Sequence, residues 1–277
     1  MSNFFKLLFL VLVLSALSCA QGQFVPAPAA APVKGPEMPK IKNPGRVVHV
    51  LVALCDNVNQ GILPVPAFLG NGDDPDKNLY WGAAFGVKTF FSKSKNWTKL
   101  AEIKNPEGNI LERIIFKHKT QNVYLVADAY RGSKMRETID DFFSAVSGNK
   151  RETVAAENAN LEILGGADLV AFVGHDGLMD FNLDKDFLKK DDNKRDAIIL
   201  ACASRNYFFK PLRNTGASPL LWTSNLMAPE AYTLHDALEG WIRNESDEQI
   251  RARAVSAYAR YQRISTKAAG NLLVTGW

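Results

Sequence analysis

Cysteine is scarce: the 277 residues contain three, and only Cys55 and Cys202 lie beyond the first twenty positions. A small scaffold stapled by several disulfides is therefore excluded, and in an oxidising compartment two thiols most simply make one bond. Histidine is nearly as rare, with four residues. No His-Glu-x-x-His, Gly-x-Ser-x-Gly, Walker or Gly-x-Gly-x-x-Gly pattern occurs, so several common chemistries lack their usual marks. No apolar run reaches the roughly 20 residues that a spanning helix needs. Charge excess is missing too. The net charge is +4, but Lys6, Lys34, Lys40, Lys42, Arg46 and Glu37 all precede Val47, which leaves 28 basic and 28 acidic residues from there on. A neutral domain offers no nucleic-acid footprint.

What is present begins with a leader. Lys6 precedes an apolar run from Leu7 to Leu14, and Ser15-Ala16-Leu17-Ser18-Cys19-Ala20 follows. Basic, apolar, then small is the order of a secretory signal over residues 1–20, which implies export to the periplasm or cell envelope. Cleavage after Ala20 is one reading. The other is a lipobox ending before Cys19, with Cys19 lipidated, although Ala16 stands where leucine is usual. Residues 21–46 are rich in Pro and Ala, the composition of a semi-rigid spacer. A domain at 47–277 follows, long enough for a sizeable core.

Along that domain, Val47 to Leu54 reads as a buried strand ending at Cys55-Asp56. A Gly/Pro/Asp-rich loop from Gly61 to Asp76 precedes an expected helix from Leu79 to Phe91. Strands are expected at Leu111 to Phe116 and Val123 to Ala127, the second ending at Asp128. Gly132-Ser133 then opens a helix with Ile139, Phe142, Phe143 and Val146 on one face. After a polar stretch, strands at Ala167 to Val173 and Ala197 to Ala201 end at Gly174-His175-Asp176-Gly177 and at Cys202. An apolar run from Pro219 to Thr223 leads to a helix near Ala231 to Ile242. A last helix from Asp247 to Arg263 should bury Ile250, Ala254, Tyr258 and Tyr261. Strand and helix alternate, which argues for an α/β fold with a mostly parallel sheet and helices on both faces. Ligands then bind beyond the carboxyl ends of the strands, where Cys55, Asp128, His175 and Cys202 lie.

His175 and Cys202 each follow an apolar strand directly. If the strands are neighbours, the two ends sit about 5 Å apart. A nearby imidazole favours the reactive thiolate, and backbone N–H groups after the histidine can hold an oxyanion. Strand-His followed by strand-Ala-Cys resembles the caspase-like (clan CD) cysteine peptidases, which include caspases, gingipains, clostripain, separase and CHAT domains. The stretch from Tyr124 to Phe143 looks like the family's second strand, turn and helix. Ala167 to His175 looks like its third strand, and Ile198-Ile-Leu-Ala-Cys-Ala-Ser204 is similar to the Ala-Cys-x-Ser motif of CHAT domains. Gly216 to Thr223 looks like the strand beyond the cysteine.

The resemblance implies a three-layer sandwich and a Cys202–His175 dyad cleaving a protein or peptide substrate. Asp176 and Gly177 would supply the oxyanion donors, and Cys55, Asp56, Asp128 and Arg131 would border the pocket. It also puts the Cys55 strand beside the His175 strand on the side away from Cys202, about 10 Å from it, too far for an unstrained disulfide. The family places glycine directly after the histidine, whereas Asp176 intervenes here. A catalytically silent module binding a protein at the envelope is thus the alternative.

Asp180, Asn182, Asp184 and Asp186 alternate as in a calcium loop. Lys185 stands where glycine belongs and no glutamate closes the loop, so it reads as a solvated segment with no metal or cofactor expected, calcium being the lesser alternative because some relatives in the resembled superfamily use it. His49 reads as a core residue, and His118 and His235 show no partner. Asn96-Trp97-Thr98 and Asn244-Glu245-Ser246 match glycosylation sequons.

Overall fold

The computed structural model describes residues 44–157 and 159–277. The leader at 1–20 with Cys19, and nearly all of the 21–46 spacer, lie outside the described residues. In chain order the elements are β1 (Arg46–Ala53), α1 (Val87–Ser92), β2 (Trp97–Lys104), β3 (Ile110–His118), β4 (Val123–Tyr130), α2 (Met135–Val146), β5 (Arg151–Ala156), β6 (Ala159–Leu164), β7 (Leu169–Val173), β8 (Asp196–Leu200), α3 (Ser204–Thr215), β9 (Ser218–Thr223), α4 (Ala231–Ile242), α5 (Asp247–Gln262), α6 (Thr266–Leu272) and β10 (Leu273–Val274).

Eight strands make one sheet in the order β10-β9-β8-β7-β1-β4-β3-β2, and β5 and β6 form a separate hairpin. β4, β1, β7, β8 and β9 run parallel, while β10, β3 and β2 close the edges antiparallel. The central strands are nearly continuous apolar, β-branched runs because helices cover both faces. Val48, Val50 and Val52 point to a face covered by α1, α4, α5 and α6. Val47, Leu51 and Ala53 point to the other, covered by α2, α3 and the hairpin. The stripe on α2 is the expected one. Phe142 and Phe143 meet Phe172 and Phe208 with ring centroids 5.4 to 6.0 Å apart. α5 starts at a Ser246/Gln249 capping box and buries Ile250, Ala254 and Tyr258.

Three expectations need correction. No helix runs from Leu79 to Phe91. The segment coils through tight turns before α1, since an added Cβ on Gly82 would lie 2.1 Å from the Asp76 carbonyl oxygen. β4 does not stop at Asp128 but continues to Tyr130, which carries the Asp128 side chain into the interior. The polar stretch before β7 is the β5–β6 hairpin, whose Val154, Leu161 and Ile163 face the core while its other face stays in water. Among the described residues no helix is long and apolar enough to cross a membrane.

The register positions the site. Val173 of β7 pairs with Leu200 of β8, and Gly174 N–H donates to the Leu200 carbonyl at 3.2 Å. Residues leaving these two strands emerge side by side on one sheet edge.

Candidate active site

β8 ends at Leu200 and α3 begins at Ser204, so the chain reverses through Ala201, Cys202 and Ala203. Ala203 takes a left-handed conformation (φ 49°, ψ 29°), which costs a non-glycine residue roughly 1–2 kcal/mol. A buried hydroxyl pair holds the reversal. Ser204 Oγ donates to the Ile199 carbonyl at 3.0 Å and accepts the Thr223 N–H at 3.0 Å. Thr223 Oγ1 accepts the Ser204 N–H at 3.1 Å and donates to the Ala201 carbonyl. The serine of the Ala-Cys-x-Ser pattern thus fixes the turn that presents Cys202.

The Cys202 thiol is half-buried. It accepts the Met227 N–H at 3.4 Å and donates to the Met227 carbonyl at 3.5 Å. Burial pushes its pKa up, the Met227 contact opposes this, and the Asp176 charge adds to the rise. The resting group is a thiol, not a thiolate.

His175 is buried, and its Nε2 lies 2.6 Å from Asp180 Oδ2. Asp180 Oδ2 also accepts the Gly61 N–H at 3.3 Å, which ties the loop after β1 to the site. With Nε2–H donated to the carboxylate, Nδ1 is the nitrogen left to take a proton. No hydrogen bond joins His175 to Cys202: the thiol is turned to Met227 and the imidazole to Asp180. The alternation of acids places Asp180 in a solvated loop, and nothing local distinguishes it from Asp184 or Asp186.

Asp176 centres a three-residue turn (φ −78°, ψ 89°) in which Gly177 N–H donates to the His175 carbonyl at 3.1 Å. Gly177 therefore offers no free oxyanion donor, which corrects that expectation. Its role is steric, because a Cβ there would lie 2.5 Å from Met135 Cγ. The N–H groups of Asp176 and Cys202, by contrast, have no acceptor among the described residues. The Asp176 side chain is buried: Oδ1 accepts the Leu178 N–H at 3.0 Å, while Oδ2 has no partner. Burial lifts this carboxyl to about 7, with the Leu178 bond opposing and Asp180 adding to the rise.

The four residues expected at the pocket rim fare differently. Cys55 is fully buried, its backbone N–H and carbonyl clamped by the Asn78 side chain at 3.0 and 2.8 Å. Burial pushes its thiol up to about 11, a hydrogen bond from Tyr80 opposing. Both cysteines are free, so no bond consumes Cys202. Asp56 spends its oxygens on Val58 N–H, Asn59 N–H and the Asn59 amide. Asp128 is fully buried between Arg113, at 2.6 and 2.8 Å, and His49, at 3.0 Å. It is the centre of an internal ion pair and has no exposed surface to offer as a rim. Arg131 alone of the four reaches solvent, where it pairs with Asp73.

In the loop after His175, Arg136 pairs with Asp184 and Lys185 with Asp140. Among the described residues no cluster of three or more His, Cys, Asp or Glu is placed to hold a metal. A cavity of about 600 Å³ lies between this loop and α3, bordered by Leu178, Phe181 and Tyr207, but neither His175 nor Cys202 lines it. Compared with known proteins, the chain matches no family model, no curated protein and no solved structure. Fold and site thus define a mixed α/β protein with a thiol and an imidazole on adjacent strand ends.

Proposed function

We propose that the chain is an exported, caspase-like cysteine hydrolase that cleaves peptides, anchored at the envelope through Cys19 or released by cleavage after Ala20. The observation that carries this reading is the emergence of His175 and Cys202 from neighbouring parallel strands, with the imidazole oriented by Asp180. The layering of helices on both faces of the sheet fits the three-layer sandwich that the sequence resembles.

In this reading His175 Nδ1 takes the Cys202 proton and Sγ attacks the peptide carbonyl carbon. The oxyanion meets the free N–H groups of Asp176 and Cys202. The C–N bond breaks as the imidazolium returns the proton to the leaving amine, and water then cleaves the thioester to restore the thiol. The distance between base and nucleophile in the resting state closes when substrate displaces the thiol from Met227, as catalytic contacts often tighten only in the complex.

Asp176 favours a second reading. Its carboxyl occupies the position where the family has glycine, and its charge adds to the rise that burial gives the Cys202 thiol, as expected of a silent module that binds peptides without cutting them. Incubating mature protein with a peptide mixture and reading new termini by mass spectrometry separates the two. Cleavage that disappears in both Cys202→Ala and His175→Ala supports the hydrolase. Identical fragments from wild type and Cys202→Ala, or none from either, leaves the binding module.

A further inference from the structure

A second hydrogen-bonded relay lies elsewhere in the molecule. Ser94, just beyond α1, places Oγ 2.9 Å from His235 Nε2, and His235 Nδ1 lies 2.8 Å from Asp236 Oδ1. With Nδ1–H donated to the carboxylate, Nε2 carries the lone pair and the serine hydroxyl is its donor. That is the tautomer in which an imidazole can take a proton from serine. Phe90 and Phe91 pack edge-on against the ring, with centroids at 5.4 and 5.3 Å, and hold its rotamer. Asn96 N–H donates to Ser94 Oγ at 3.1 Å, which favours negative charge on that oxygen. The N–H of Lys95, directly after the serine, has no acceptor among the described residues. Nucleophile-elbow enzymes draw an oxyanion donor from that position.

The relay opens into a groove of about 560 Å³. Phe85, Phe90 and Tyr261 give it an apolar, aromatic wall, and Lys93, Lys95 and Arg260 line it with positive charge. Arg260 lies 3.8 Å from Asp236, whereas Lys93 and Lys95 are exposed and make no ion pair among the described residues. Ser94 and Cys202 lie towards opposite edges of the sheet. Trp97, three residues past Ser94, pairs with His118 at the edge where β1 and β4 begin, and Cys202 lies at the edge where β7 and β8 end.

We propose that Ser94, His235 and Asp236 form a second acyl-transfer site, which hydrolyses carboxylic esters with an apolar or aromatic portion and an anionic group. His235 Nε2 takes the Ser94 proton while Oγ bonds to the ester carbonyl carbon. The carbon–alkoxide bond breaks, and the imidazolium returns the proton to the departing alcohol. Water, deprotonated by the same imidazole, then cleaves the acyl-serine to release the acid and restore the hydroxyl. The aromatic wall takes the apolar portion, and the lysines take the negative charge.

The test uses full mature protein carrying Cys202→Ala, so that no thiol chemistry intrudes, with a fluorophosphonate as probe and peptide mapping as readout. The expected result is one adduct, on Ser94, absent in Ser94→Ala and formed about 100-fold more slowly in His235→Gln. Turnover of mono-para-nitrophenyl glutarate should exceed that of para-nitrophenyl butyrate, and the preference should vanish in Lys93→Ala/Lys95→Ala. An unlabelled Ser94 in the folded Cys202→Ala protein overturns the proposal without recourse to any relay variant. So does labelling at an unchanged rate in His235→Gln. Equal turnover of the two esters overturns the assigned substrate class.

Discussion

His175 and Asp180 share a 2.6 Å contact, Nε2 to Oδ2, across the short turn that follows β7. The carboxylate selects the tautomer and fixes the ring, which leaves Nδ1 for the chemistry. Asp180 is itself partly exposed, so it orients the ring more than it stabilises the fold. Asp180→Ala should therefore lower peptide turnover at least about tenfold with KM nearly unchanged. Steady-state kinetics beside a melting curve checks this: a fall in KM-controlled binding or a collapse of the fold would contradict an orienting role.

Asp176 should make stability depend on pH. Its folded carboxyl is raised, to about 7, above the ordinary carboxylate range. It therefore binds a proton more tightly in the folded chain. The resulting stability is complete below the unfolded value near pH 4 and is lost as pH rises through about 7. Asp176→Asn removes this loss. The variant should match wild type at pH 4 and exceed it at pH 8 by something on the order of 3 kcal/mol. Melting curves at the two pH values test the sign, and the same variant should speed Cys202 alkylation at neutral pH by lifting a nearby negative charge.

Asp128→Asn should destabilise the fold by about 3–5 kcal/mol, because it strips the buried Arg113 of its main counter-charge. Arg131→Ala, which breaks only a surface pair with Asp73, should change stability by about 0.5 kcal/mol or less. Urea titration of both variants distinguishes an internal ion pair at Asp128 from a surface pocket residue.

The contrast between these two positions shows what could be read in the sequence. Central parallel strands are buried on both faces, so Val47 to Ala53, Leu169 to Val173 and Ala197 to Leu200 stand out as apolar runs, and the residues ending them mark the sheet edge. The stripe on α2 was legible for the same reason. Asp128 was not, because its partners Arg113 and His49 come from other strands, and two residues of extra strand turn its side chain inward. The β5–β6 hairpin has no apolar run to mark it, because one of its faces is wet and polar. The segment before α1 carries Trp81 and Phe85 at the i,i+4 spacing of a helix, but its glycines permit approaches that no helix has. His235 had a partner next to it in the chain, Asp236, while the other, Ser94, was 141 positions away. Asp180 looks like any other acid of its loop until the turn folds it onto His175.

Whether Cys202 and His175 act together is best tested by the rate at which a peptide chloromethyl ketone, which fills the substrate site and so draws the thiol from Met227, labels mature protein near neutral pH, followed by intact mass, in wild type and His175→Ala. The expected result is a single adduct on Cys202, with Cys55 unlabelled until the protein is denatured, and labelling at least about tenfold slower in His175→Ala. Equal rates in the two proteins would contradict a working dyad, as would an unlabelled protein about two mass units light, in which the thiols are joined.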